Sequence, residues 1–247
     1  MKHIKIYFII LLVFIMFTIS SFESYAMETG FETETMSQEE KNEIIKNISI
    51  SQLLEEPKKQ AIVCFDVNDD YYAIGYSNNQ SKTICVYSVD GIFQYGYNFI
   101  TSGSFSFELT ENSIIIYSVR GDNLFELSSD GKLLDLCRVT NTTENSIYHD
   151  KTISKKRHIG EKEYKLKNNY GIFNFFVTSY SQLICVDENG NETILHDVSS
   201  TEYKKVIFSI IAGAIFVFGV TTNVIILLIK ANKSGKSQPT IQFPWQV

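Results

Sequence analysis

The chain has 247 residues, a formal charge of −6 at neutral pH, and 44% hydrophobic and 13% aromatic residues. That is enough apolar side chain for one domain with a real core, which excludes a wholly disordered chain and a disulfide-dominated miniprotein. Residues 27–205 hold 17 Lys plus Arg against 27 Asp plus Glu, a net −10. This is the opposite of the balance a nucleic-acid binder needs to neutralise phosphates.

Residues 1–26 have the layout of a signal peptide. Lys2, His3 and Lys5 make a basic start, Ile6 to Ile19 an apolar stretch, and Ser24-Tyr25-Ala26 a small-residue cleavage site. An uncleaved signal anchor is the alternative, and both readings place 27–205 outside. No Cys follows the signal directly and no LPxTG-like motif precedes the last apolar run, so lipoprotein and wall-sorted routes are excluded. Residues 27–59 read as an acidic linker and amphipathic helix. The polar stretch 27–37 is expected to be unstructured. A helix is predicted from Ser37 to about Glu56, with Glu39 and Glu40 at the positive end of its dipole and Pro57 as its stop.

From about Gln60 the pattern turns to β. AIVCFDV, YYAIGYS, KTICVYS and IFQYGYNF are short aromatic and β-branched runs between polar turns. Asp90-Gly91 and Asp130-Gly131 are hairpin-turn pairs 40 residues apart, and Asn189-Gly190 repeats their context. ICVYSVDGIFQYGY, LFELSSDGKLLDLC and LICVDENGNETILH then align as an internal repeat. A unit of about 40 residues with four short strands is the pattern of a propeller blade. NYGIFNFFVTSYSQ is expected to supply the strands that lead into the third unit. Three units are fewer than closed propellers use, so an open stack, irregular closure under the N-terminal helix, or pairing with a second copy is expected.

VYSVDGIFQYGYNF, SGSFSFEL, IIIYSVRGD, NTTENSIYHD and NYGIFNFFVTSYSQL together resemble a group of uncharacterised proteins of clostridia and related Gram-positive bacteria. The resemblance covers roughly residues 60–200. It implies propeller-like repeats beside a C-terminal membrane helix, and it carries no activity and no functional residue.

Residues 141–169 interrupt the β pattern. From 151 to 167 the net charge is +5, and the island includes Lys151, Lys155, Lys156, Arg157 and His158. It reads either as a solvated loop or as a contact for anionic lipids, wall polymers or the acidic N-terminal helix, with Lys155, Lys156 and Arg157 as the contact residues. Cys64, Cys85, Cys137 and Cys185 sit in apolar strand-like contexts, which favours buried thiols over two disulfides.

Val206 to Ile229 is an uncharged apolar run of 24 residues. At ~1.5 Å per residue it is about 36 Å long, enough to cross a ~30 Å hydrocarbon core. Lys230, Lys233 and Lys236 follow it, which predicts a cytoplasmic tail at 230–247. Ser209 and Gly213 form a small-xxx-small pair suited to a helix dimer, and Asn223 could add an interhelical hydrogen bond.

Catalytic motifs are missing. His149, His158 and His196 lack metal spacing, and there is no nucleophile elbow or P-loop. Glu108 with Glu111, and Asp66 with Asp69 and Asp70, are carboxylate groups better read as turn caps. Arg120 and Asp122 read as a turn with a local ion pair, and Phe93, Tyr95, Tyr97 and Phe99 as a row with one core face and a possible sugar-binding use.

The expected fold is an all-β ectodomain at 60–200 with about three four-stranded, propeller-like units, a short N-terminal helix and one C-terminal transmembrane helix. The expected function is non-enzymatic binding of a protein or cell-envelope polymer, without cofactor or metal, with a homodimer as a possible state. An accessory or scaffold subunit of a membrane complex is the alternative, and a cell-wall hydrolase the third reading.

Overall fold

The computed structural model describes residues 27–177 and 179–235; the expected signal peptide and the tail beyond 235 lie outside the described residues. In chain order the first elements are β1 (Thr33–Glu34), α1 (Gln38–Ile48) and β2 (Ser51–Leu53). Four strands follow, β3 (Ile62–Val67), β4 (Tyr71–Asn78), β5 (Ser81–Ser88) and β6 (Phe93–Ile100). Four more are β7 (Phe105–Leu109), β8 (Ser113–Ser118), β9 (Asn123–Ser128) and β10 (Leu133–Val139). Then come α2 (Thr143–Thr152), β11 (Lys156–Ile159), β12 (Lys162–Lys167), a 3₁₀ turn at Gly171–Phe176, β13 (Gln182–Val186), β14 (Glu192–Asp197) and α3 (Ser199–Gly235).

The strands make three antiparallel meanders, β3–β6, β7–β10 and β11–β14, each hydrogen-bonded in sequence order. Their third and fourth strands are joined by the same turn three times. Gly91 N–H donates to Ser88 O at 2.8 Å, Gly131 N–H to Ser128 O at 2.8 Å, and Gly190 N–H to Asp187 O at 3.0 Å. The three glycines have φ of 81°, 83° and 82°. This is a type I turn closed by a left-handed residue, which glycine adopts without steric cost.

Two local expectations are corrected. Residues 27–37 are not an unstructured linker: β1 pairs with β10, and Phe31 and Met36 are buried. Nor does the helix reach Glu56. It opens with a capping box between Ser37 and Glu40 and ends at Ile48, where Ser49 turns left-handed at φ 48°. The chain then pairs β2 with β6. The N-terminal segment thus supplies the fifth strand of two sheets and covers their β6 and β10 edges, which would otherwise template further pairing.

The third meander also begins where charge hides its period. The sequence places its leading strands in NYGIFNFFVTSYSQ; the structure makes them β11 and β12, inside the basic island, and puts the 3₁₀ turn at Gly171–Phe176. KEYKLK alternates, with Tyr164 and Leu166 packed inward and Glu163, Lys165 and Lys167 on the opposite, outer face.

Packing sets the layer order. One face of the first sheet (β2–β6) meets the second sheet (β1, β7–β10) across Val86, Tyr97, Phe99, Phe107, Ile116 and Phe125. Its other face meets the third sheet across Phe65, Tyr72, Ile74, Tyr87, Tyr164 and Leu183. The first sheet is therefore the middle layer, and no closed barrel or ring of sheets forms among the described residues.

Both outer faces are covered. Over the second sheet, Phe31 packs on Tyr117 and on Tyr148 of α2, each at 4.8 Å between ring centroids. Buried Asn145 of α2 clamps this strap by pairing with both the N–H and the C=O of Glu32, at 2.7 and 2.9 Å. The outer face of the third sheet is a charge lattice instead. Lys165 bridges Glu163 and Glu192, and Lys167 joins Glu192 at 2.8 Å. The four cysteines are free thiols. Burial pushes Cys85 up to about 12 and Cys137 to about 11, which suppresses their thiolates.

α3 follows β14 without a linker. Val198 is buried, its N–H bonds Ser181 O at 2.8 Å, and Asp197 caps the helix through the Ser199 N–H at 2.7 Å. Among the described residues this is the one helix long and apolar enough to cross a membrane, with mean hydropathy 2.4 in its most apolar stretch and none of that stretch buried.

Candidate functional site

Each meander sends its first strand, β3, β7 or β11, to one junction, and each strand brings a charge there. Asp66 follows Phe65 in β3 and Glu108 follows Phe107 in β7, both one residue from the strand end; Arg157 comes from β11. The strands' inner faces are apolar, so the charges gather where the sheets splay apart and α2 closes over. The resulting cleft has a volume of about 420 Å³ and is lined also by Tyr148, Lys151 and Lys156.

Asp66 is fully engaged. Its Oδ1 accepts the Arg157 Nε–H at 2.9 Å and its Oδ2 the Leu109 N–H at 2.8 Å. Burial pushes its carboxyl up, opposed by the Leu109 amide and the Arg157 guanidinium. Arg157 also donates to Thr152 O at 2.7 Å, Ser154 O at 3.0 Å and Lys156 O at 3.1 Å, and lies over the Phe65 ring. It ties α2, the loop after it and two strands together.

Glu108 is different. Its Oε2 accepts the Thr29 hydroxyl at 3.3 Å, while its buried Oε1 lacks a partner of good geometry beside the Tyr148 phenol. Burial raises its pKa, eased by Tyr148 and Thr29 and reinforced by the neighbouring Asp66 charge. Two carboxylates with pKa values pushed up in one cleft are raw material for acid–base chemistry. Here one is clamped by arginine, and the other is enclosed beside the Tyr148 and Thr29 hydroxyls. Lys151, Lys156 and His158 form the exposed rim.

The three predicted contact residues separate. Lys155 is exposed, its Nζ 5.3 Å above the Tyr180 ring. Lys156 is exposed and pairs with Glu163 at 3.2 Å. Arg157 is mostly enclosed, its side chain 16% exposed, and its donors point inward. In α3, Ser209 and Gly213 lie on the exposed stretch, and a Cβ at Gly213 would meet nothing within 4 Å. Asn223 returns its amide to Gly219 O at 2.8 Å.

The other singled-out residues serve the fold. Asp122 accepts the Tyr117 hydroxyl at 2.9 Å instead of pairing with Arg120. Tyr97 and Phe99 are buried, and a bulge in β6 sends Phe93 to the opposite core, which dissolves the aromatic row. His196 is buried between the first and third sheets, its Nε2 2.9 Å from the Tyr76 hydroxyl. Burial drives its pKa down to about 4, helped by Lys59 and opposed by Asp197. Tyr87 beside it donates to Glu56 at 2.9 Å. Among the described residues no group of three or more His, Cys, Asp or Glu is arranged to hold a metal ion.

The convergence of Asp66 and Glu108 was not read from the sequence. The clue was available: Phe-Asp-Val at 65–67 and Phe-Glu-Leu at 107–109 occupy the same place in successive repeats. Comparison of the chain with protein families, with curated proteins and with solved structures yields no match.

Proposed function

We propose that the chain is a single-pass membrane protein. It carries an open stack of three blade-like β units on the outer side of a cell membrane, keeps its C-terminus in the cytoplasm, and works as a non-catalytic binding module for a protein or an envelope polymer. The observation that carries this reading is α3. It is a long apolar helix whose side chains find no cover along the run from Ile211 to Lys230, joined directly to the last strand of the stack. A soluble domain has no use for such a surface. Lys230, Lys233 and Lys236 after the run support the cytoplasmic placement of the tail.

The binding face is assigned to the cleft at the first strands, where the inner strands of blade-like units meet. Asp66 and Glu108 line its floor, and Lys151, Lys156 and His158 form the rim. Lys155 extends the basic surface toward Tyr180.

Carbonate extraction of membranes holding the full chain, with protease added outside intact cells, tests the topology. The expected result is a chain that resists extraction, loses its ectodomain to protease and keeps its C-terminal tag. Extraction into the supernatant overturns the anchor, and loss of the tag overturns the orientation. For the binding face, Lys151→Gln/Lys155→Gln/Lys156→Gln is expected to cut binding to anionic wall polymer at least tenfold without lowering the melting temperature. Unchanged binding removes the rim from the proposal.

A further inference from the structure

The junction between the stack and α3 contains a feature the binding reading does not use. The 3₁₀ turn Gly171–Phe176 has the sequence Gly-Ile-Phe-Asn-Phe-Phe, with four large apolar residues in six. It leaves the end of the third sheet, where Ser181 N–H bonds Lys167 O and Val198 N–H bonds Ser181 O. It returns beside the first turn of α3, and Phe173 lies 6.3 Å from Tyr203 between ring centroids. Coverage of the helix continues past that point. Glu202 is buried, and Val206, Ile207 and Ile210 are partly covered, all on one helical stripe; from Ile211 to Lys230 every residue is exposed.

These positions fix a height. The apolar run opens at Val206, three residues or about 4.5 Å past Tyr203, and at ~1.5 Å per residue is about 36 Å long, enough to cross a ~30 Å hydrocarbon core with some tilt. The turn beside Tyr203 therefore stands within one helical turn of the hydrocarbon edge, in the zone where aromatic side chains collect. Lys204 and Lys205 are exposed at the same level, and Lys205 pairs with Glu202 at 2.6 Å.

We infer that Gly171–Phe176 is a membrane foot: an apolar turn that seats in the lipid headgroup and upper acyl region beside α3, so that the third sheet stands on the bilayer at two points. The partner is the lipid surface itself. This rests on the single-pass reading, because the helix sets where the bilayer lies. Two contacts resist tilting as one helix cannot, so the stack is held at a fixed angle to the membrane.

The test uses the full chain in phosphatidylcholine vesicles whose acyl chains carry bromine at shallow or deep positions. The single tryptophan is first removed with Trp245→Phe. A new one is then placed at the turn by Phe173→Trp or, as a second probe should that variant melt early, by Ile172→Trp. Phe216→Trp in the helix is the control. Expected is blue-shifted emission from the turn, quenched several-fold more by shallow than by deep bromines, with the control quenched most by deep ones. An unquenched turn with a quenched control overturns the foot and leaves the anchor standing. An unquenched control overturns the anchor, and the foot with it. A deeply quenched turn overturns the interfacial placement.

Discussion

His196 shows how one side chain writes pH dependence into the stack. Buried against Tyr76 and Tyr87, it refuses a proton until about pH 4, whereas in the unfolded chain it accepts one near 6.5. The unfolded state therefore binds more protons between these values, and acidification favours it. Stability is greatest above pH 6.5 and falls as pH drops toward 4, by up to about 3 kcal/mol. Thermal melts across that range should show the decline, and His196→Gln should flatten most of it. Burial also lowers His149, which adds to the decline, while the raised carboxyls of Asp66 and Glu108 oppose it. Arg157 is the second residue with large leverage. Arg157→Met strands Asp66 in a buried position and removes the tie between α2 and β3, and urea unfolding should report a loss of about 3–5 kcal/mol. Adding Asp66→Asn to Arg157→Met should recover part of it. An unchanged midpoint would show that the pair is not a clamp. Neither role could be read from sequence, because the partners lie 91 and 120 residues apart.

Elements were more legible than residues. The Asp-Gly and Asn-Gly pairs announced three hairpins, and these share one hydrogen-bond pattern because glycine alone enters the left-handed region freely. Ser37 followed by the acids Glu39 and Glu40 announced the start of α1. Legibility failed where chemistry and period disagreed. β12 alternates in KEYKLK, yet its charges look like loop, and the Gly171–Phe176 turn is apolar, yet irregular. The helix end at Ile48 was missed because Ile50 and Leu53 continue an apolar pattern that belongs to an edge strand. Glycine inside a strand carries its own information. A Cβ at Gly96 would stand 2.6 Å from Ile84 O on the neighbouring strand, and backbone cannot step aside. Gly96→Ala should cost about 2 kcal/mol or more by chemical denaturation. Gly190→Ala, in open space at φ 82°, should cost only about 1 kcal/mol, the strain of a left-handed alanine. Equal costs at the two sites would refute the close approach.

At the scale of the whole molecule, the sequence announced three repeats and a spanning helix but not their layer order. The repeat that comes first in the chain became the middle layer, and the ends of the stack were closed by dissimilar means. A strap and a helix cover one face, and a lattice of lysines and glutamates the other. Such closure depends on contacts between segments far apart in sequence, which periodicity does not record. The strap is the more vulnerable end. Phe31→Ala removes the ring that lies between Tyr117 and Tyr148, and should cost about 3 kcal/mol and increase binding of a hydrophobic dye to the folded protein. Dye binding and melting at wild-type levels would mean that the face needs no cover.

The pairing of β1 with β10 also sets a schedule for making the protein. Thr33 faces Val139, so the strap leaves the ribosome more than a hundred residues before the strand it completes. At ~5–20 residues per second that is a wait of about 5–20 s, during which the strap has no sheet to join, whereas β2 meets β6 in less than half that time. The first sheet is complete with β6 and the second with β10, the strap then shuts the second sheet's outer face, and the third meander and the apolar helix follow. A pause in synthesis between β10 and α3 would give the strap time to close, whereas one before β10 would lengthen its exposure to misplaced pairing and to proteases.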